Sequence, residues 1–212
     1  MISLVIKMNH NEVTWRIFPL NTPTIIRHCS KCNRKMDFYC SEKFRTNSNQ
    51  TRSDIWLIYK CEKCDTTLKL AIKKGIKPSD LPKERFDKFT NNDVALAWEY
   101  AFNCDFLKNH NCVINYASVK YRVDGIESID LEKPLYIHLK SDFVFDLKLS
   151  GFLASTLNLS VTKIKRLAEM GNITTNPECN IAKHKIKSDM EILIHTLSSP
   201  LLQPLLLNEP VQ

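Results

Sequence analysis

Two stretches alternate with a period of two. Residues 54–60 set Ile55, Leu57 and Tyr59 against Trp56, Ile58 and Lys60, and residues 66–73 set Leu68, Leu70 and Ile72 against Lys69, Ala71 and Lys73. Successive side chains of a strand point to opposite faces, so both stretches predict strands, joined as a hairpin. Thr24-Ile-Ile-Arg27 reads as a third extended piece, and residues 45–53 are polar enough to predict an exposed loop. Upstream, Val13, Trp15 and Ile17 share one side and predict an edge strand or hairpin leading into this sheet.

The pattern then changes period. Gly75-Ile-Lys-Pro-Ser-Asp-Leu-Pro82 interrupts it, and Pro82 suits the first turn of a helix with Phe86 and Phe89 on one side. A second helix, capped by Asn92 or Asp93, places Val94, Ala97, Trp98, Ala101 and Phe102 at i, i+3, i+4, i+7 and i+8, a stripe expected in the core. Residues 113–123 look extended, and Asp124-Gly125 marks a turn. Leu135, Ile137 and Leu139 alternate, as do Phe143, Phe145, Leu147 and Leu149, which predicts a second hairpin.

Residues 147–157 also have the spacing of a short helix, with Asn158-Leu159 as a corner. Ser160 then caps a helix through Met170, which Gly171 ends. Ile164, Leu167 and Ala168 would pack on Leu153 and Leu157, leaving Lys163, Lys165 and Arg166 exposed on the other side. Residues 173–177 and 185–194 follow as extended segments. The fold class expected is α+β: an N-terminal β unit over residues 1–75, a helical and extended connection over 76–142, a small α+β domain over 143–197 and a tail over 198–212.

The chemistry concentrates at four cysteines. Cys29-Ser-Lys-Cys32 and Cys61-Glu-Lys-Cys64 are separated by twenty-eight residues, and each turn points two sulfurs toward one place. Two such turns supply a closed tetrahedral thiolate site, which makes the first unit a zinc ribbon with structural Zn²⁺. An iron centre or disulfides would use the same residues, and Cys40 could replace a ligand. The start Met1-Ile-Ser-Leu has no cationic segment followed by an apolar run, so a cytoplasmic, reducing location is expected, which favours metal. Cys104, His110 and Cys112 lie close together but lack a fourth partner spaced to join them.

The 212 residues are 43% hydrophobic and 25% charged, ordinary for a soluble protein, and no apolar run is long enough to span a bilayer. The four glycines fit neither the phosphate loop nor the dinucleotide fingerprint. The formal charge of +7 is unevenly placed: residues 24–75 carry twelve basic and five acidic side chains. A basic β unit suggests a polyanionic partner.

Lys148-Leu-Ser-Gly-Phe-Leu-Ala154, Leu159-Ser160, Ile164, Leu167, Gly171-Asn-Ile173 and Lys185-Ile-Lys-Ser-Asp189 together resemble the small RNA-binding domain of ribosomal protein S four, the alpha-L motif. The resemblance implies two helices and a few strands presenting a basic face to structured RNA, ribosomal RNA among the candidates. It places Lys148, Ser160, Lys163, Lys165 and Arg166 toward RNA, with Lys185 or Lys187 at the rim. Four positions depart from that pattern: Lys148 and Ser150 where the family has Arg and Asp, Val161 where it has Arg, and Ser188 where it has Gly. The chain as a whole also resembles a bacterial family of unknown function, numbered 1062, through its Cys-x2-Cys pair and Asp54-Ile-Trp-Leu-Ile-Tyr-Lys-Cys61.

The reading that results is a non-catalytic, zinc-containing RNA-binding protein. Residues 152–170 would also suit a DNA-binding helix-turn-helix, with 160–170 as the recognition helix. A zinc-stabilised protein-interaction adaptor without nucleic-acid binding is the third reading. No paired carboxylates, nucleophile motif or open metal site points to an enzyme.

Overall fold

A computed structural model describes residues 11–48, 52–126, 133–186 and 189–195. In chain order its elements are β1 (Asn11–Pro19), β2 (Thr24–Cys29), β3 (Arg34–Ser48), β4 (Ser53–Cys61), β5 (Thr67–Ile76), α1 (Lys83–Thr90), α2 (Val94–Phe102), α3 (Cys104–Asn109), β6 (Val113–Asn115), β7 (Tyr121–Asp124), β8 (Leu135–Ser141), α4 (Leu149–Leu157), α5 (Val161–Glu169), β9 (Ile173–Asn176) and β10 (Met190–Ile194). The class is α+β, with two five-stranded sheets. The chain divides into two compact units, Leu20–Lys120 and the described residues on either side of it. Breaks drawn at residues 75 and 142 are not where the chain divides in space. The helices that follow β5 pack on β3 and belong with the first sheet, whereas β1 belongs with strands from far down the chain.

The unit Leu20–Lys120 is an antiparallel sheet in the order β5-β4-β3-β2-β6. On β4 the expected alternation holds: Ile55, Leu57 and Tyr59 are buried, while Trp56, Ile58 and Lys60 are half-buried on the opposite face. The polar stretch after Phe44 starts as strand and not as loop, and its residues 49–51 lie outside the described residues. Arg45, Thr46, Asn47 and Ser48 continue β3, opposite Trp56, Ile55, Asp54 and Ser53. Backbone groups make the ladder, so polar side chains on a solvated face do not prevent a strand. A register shift lies between Cys40 and Lys43, where Glu42 takes a left-handed φ of 57°.

Helices α1 and α2 cover the inner face. Phe89 and Tyr100 meet Phe44 edge to face at 5.0 and 6.4 Å. Asp93 caps α2 through the Leu96 N–H at 2.7 Å. The buried stripe is Leu96, Ala97, Ala101 and Phe102, and Val94, expected inside, is 50% exposed. The helix is turned so that Trp98 can donate Nε1–H to Glu42 Oε1 at 2.7 Å.

The second unit has the order β7-β1-β8-β10-β9. β1 is no edge strand leading into the four-cysteine sheet. It lies between β7, antiparallel, and β8, parallel, with Trp15 and Ile17 fully buried. Gly125, with φ of 87°, passes so close to β1 that a Cβ there would lie 2.0 Å from the Thr14 carbonyl oxygen. Residues 143–148 do not pair with β8 as a hairpin, because β1 and β10 take both of its edges. They lead instead into α4, and Lys148 makes an isolated antiparallel bridge to Lys185. Phe152 of α4 meets Trp15 edge to face at 5.9 Å, and Ile164 and Leu167 of α5 are buried with Leu153 and Leu157.

Candidate metal centre and candidate nucleic-acid interface

The four cysteines come together at one end of the first sheet. Cys29 and Cys32 bracket the turn from β2 to β3, and Cys61 and Cys64 the turn from β4 to β5. Both turns end on a residue in the left-handed region, Asn33 at φ 51° and Asp65 at φ 56°, residue types that tolerate it. Asp65 N–H donates to the Cys61 carbonyl at 2.9 Å, and Glu62 N–H donates to the Asp37 carbonyl of β3 at 3.0 Å, tying the second turn to the neighbouring strand.

All four sulfurs lie within 4.8 Å of one another. The Cys29–Cys64 and Cys32–Cys61 separations are 3.5 and 3.9 Å. Those are far from the ~2.05 Å of a disulfide. They fit a tetrahedron with metal–sulfur bonds of ~2.3 Å, whose sulfur–sulfur edges are about 3.8 Å. The cluster could therefore hold a metal ion. Hydrogen bonds with Thr66 bring the Cys64 thiol down to about 6. Hydrogen bonding to Cys64, then burial, pushes Cys32 up to about 12. Burial raises Cys29, but hydrogen bonds from the Cys32 amide and with the Cys61 and Cys32 thiols together outweigh it, and the net shift is downward.

The other sulfurs lie elsewhere. Cys40 is 7% exposed on the inner face of β3, where burial pushes its thiol up to about 12. Cys104 Sγ is 2.9 Å from Tyr116 Oη, His110 Nδ1 is 2.8 Å from the Phe106 carbonyl, and Cys112 is buried.

In the second unit, α4 ends at Asn158, left-handed at φ 54°, and the chain turns directly into α5. Ser160 Oγ accepts from the Lys163 N–H at 3.2 Å, so that hydroxyl caps the helix. Lys165 and Arg166 are exposed, opposite buried Ile164 and Leu167. Lys163 is half-buried on the helix flank and has interactions of its own, so the exposed cationic pair is Lys165 and Arg166. Lys148 is exposed at the start of α4. Lys185 is exposed too, but its Nζ lies 2.8 Å from Asp146 Oδ1, which offsets its charge. Lys187 and the tail lie outside the described residues. An open cleft of about 550 Å³ between α5 and β9 is rimmed by Lys165, Glu169, Thr175 and Cys179.

Residues 46–179 match the model of a family described as "Protein of unknown function (DUF1062)". The chain belongs to that family. The match takes in Cys61, Cys64, α4 and α5 and begins after Cys29 and Cys32. No curated protein and no solved structure gives a match. No described helix is long and apolar enough to cross a membrane.

One basic surface escapes a reading of motifs. Lys43 and Arg45 on β3, Trp56, Ile58 and Lys60 on β4, and Lys69 on β5 fall in the outward phase of their strands. The signal available in the sequence is the phase of the alternation that does not build the core, extended from β4 to its neighbours through the register.

Proposed function

We propose that the protein is a non-catalytic, zinc-containing RNA-binding protein of the cytoplasm, in which α4 and α5 form an alpha-L-like module for structured RNA and the four-cysteine unit is a basic zinc ribbon adding a second contact. The observation that carries the reading is α5 itself. It is held by a capping serine and a left-handed corner, buries Ile164 and Leu167, and turns Lys165 and Arg166 outward. Lys148 and Lys185 lie beside each other where α4 begins, and β9 and β10 pair antiparallel after α5. A double-stranded RNA surface is met mostly through backbone phosphates and shape, which rigidly placed cations suit. Ribosomal RNA is the class suggested by resemblance to the S four domain.

Zinc is supported by donor type and spacing: four thiolates with sulfur–sulfur separations near those of a tetrahedron. Such a site has no open position for water, so its role is to hold the two turns together. Its binding free energy would contribute to folding of the sheet end.

The test is fluorescence anisotropy of the zinc-loaded protein with a folded RNA hairpin and a duplex DNA of equal length, at two salt concentrations. Preference for RNA, with affinity falling steeply in salt, is expected. Lys165→Glu with Arg166→Glu should weaken hairpin binding and flatten its salt dependence, by about one unit of slope for each phosphate no longer neutralised. Preference for duplex DNA would make α5 a recognition helix, and indifference to both would leave the adaptor reading.

A further inference from the structure

On the solvated face of the first sheet, the β3–β4–β5 register sets Arg45, Trp56 and Ala71 in one row, Lys43, Ile58 and Lys69 in the next, and Tyr39, Lys60 and Thr67 in the third. Residues directly opposite in antiparallel strands share a face, so these rows form one surface. Lys43, Arg45 and Lys69 are exposed, Tyr39 is 38% exposed, and Trp56 and Lys60 are half-buried. The Lys69 ammonium lies 5.8 Å from the centre of the Trp56 ring.

Among the described residues none of Lys43, Arg45, Lys60 and Lys69 has a carboxylate at ion-pair distance. The nearby acids are engaged locally. Asp54 accepts from the Gly75 N–H at 2.6 Å, Asp37 from Thr24 and Asn115, and Asp65 from Tyr39. The face therefore combines four uncompensated cations with a central indole.

We infer that the outer face of β3–β4–β5 is a binding surface for unpaired RNA, with a base stacked on Trp56 and the flanking phosphates held by Lys43, Arg45, Lys60 and Lys69. A base can reach a ring on a flat sheet only when it is splayed from its neighbours, which an unpaired strand allows and a helix does not. Aromatic stacking with cationic flanks suits single strands and tolerates sequence. The choice of RNA over single-stranded DNA rests on the function proposed above; the stacking geometry does not.

The experiment titrates the zinc-loaded full chain into labelled oligouridylate, which has little structure of its own, with oligothymidylate and the RNA hairpin in parallel. Trp56→Ala should weaken oligouridylate binding about 5- to 150-fold. Trp56→Phe should keep most of the affinity. Because Trp56 is half-buried, a second variant, Lys43→Glu with Lys69→Glu at exposed positions, should lower affinity and salt dependence without touching the core. Ultraviolet crosslinking of the bound oligomer should map to the peptide containing Trp56. Absence of oligouridylate binding, or affinity unchanged in Trp56→Ala, overturns the inference, and equal affinity for oligothymidylate overturns its assignment to RNA. Failure of the broader reading looks different: hairpin binding would be absent, or indifferent to Lys165→Glu with Arg166→Glu.

Discussion

The two units present basic residues with different periods and tie their ends together by different means. In the unit Leu20–Lys120 the cations recur every second residue on a sheet face, and the two turns at one end of that sheet meet through four sulfurs. In the other unit they sit on a helix whose opposite side is buried, and apolar packing of Trp15, Phe152, Ile164 and Leu167 does the joining. With the zinc proposed above, the first arrangement depends on deprotonated thiolates and an ion. The second depends only on removing hydrocarbon from water. The same chain should accordingly respond to chelation in one half and to cavity-forming substitutions in the other.

The largest expected effect comes from Cys61→Ser with Cys64→Ser. It should abolish one equivalent of bound zinc and melt the four-cysteine unit at a lower temperature, leaving a transition from the other unit. Calorimetry with metal analysis checks both, and retained metal with an unchanged profile would remove the cluster from the account. Leu167→Ala, at a position 1% exposed, is the mirror experiment. It should cost about 2–5 kcal/mol in urea unfolding while leaving metal content alone.

A smaller effect is expected of Ser160→Ala, which removes the acceptor for the Lys163 N–H and should destabilise α5 by about 0.5–2 kcal/mol. The smallest concerns pH. Glu191 is held below its usual value of 4.5, first by its hydrogen bond from Asn176, then by that from Tyr136, with His138 also contributing. A depressed carboxyl stabilises the fold above its unfolded pKa and loses that contribution as pH falls through the folded one. The melting temperature of Glu191→Gln should therefore lie slightly below wild type at neutral pH, and the gap should close below pH 4.5. A gap that widens in acid would reverse the sign.

Sequence alone made the local features of both units legible. The Cys-x2-Cys turns, the alternation on β4, the caps at Asp93 and Ser160 and the stop at Gly171 each depend on neighbours within a few residues. What it hid depends on pairing and packing across the chain. β1 lies between β7 and β8, over a hundred residues away, which no local pattern announces. Residues 45–48 looked like a loop because their side chains are polar, although their backbone pairs with β4. Residues 143–149 alternate like a strand, yet β8 has no edge left for them. At the candidate sites, the four cysteines could be named from spacing, whereas separating Lys165 and Arg166 from the flanking Lys163, and finding Asp146 on Lys185, required the packing of α5 and the bridge at Lys148.

The most direct measurement is the affinity of the full chain for the folded RNA hairpin before and after removal of zinc, with Lys165→Glu and Arg166→Glu as a parallel variant. Chelation is expected to cost the hairpin only the second contact, a few-fold, while the α5 reversal removes most of the binding. Hairpin binding that vanishes on chelation and ignores the reversal would place the RNA surface in the four-cysteine unit, and no hairpin binding in any form would contradict the RNA assignment itself.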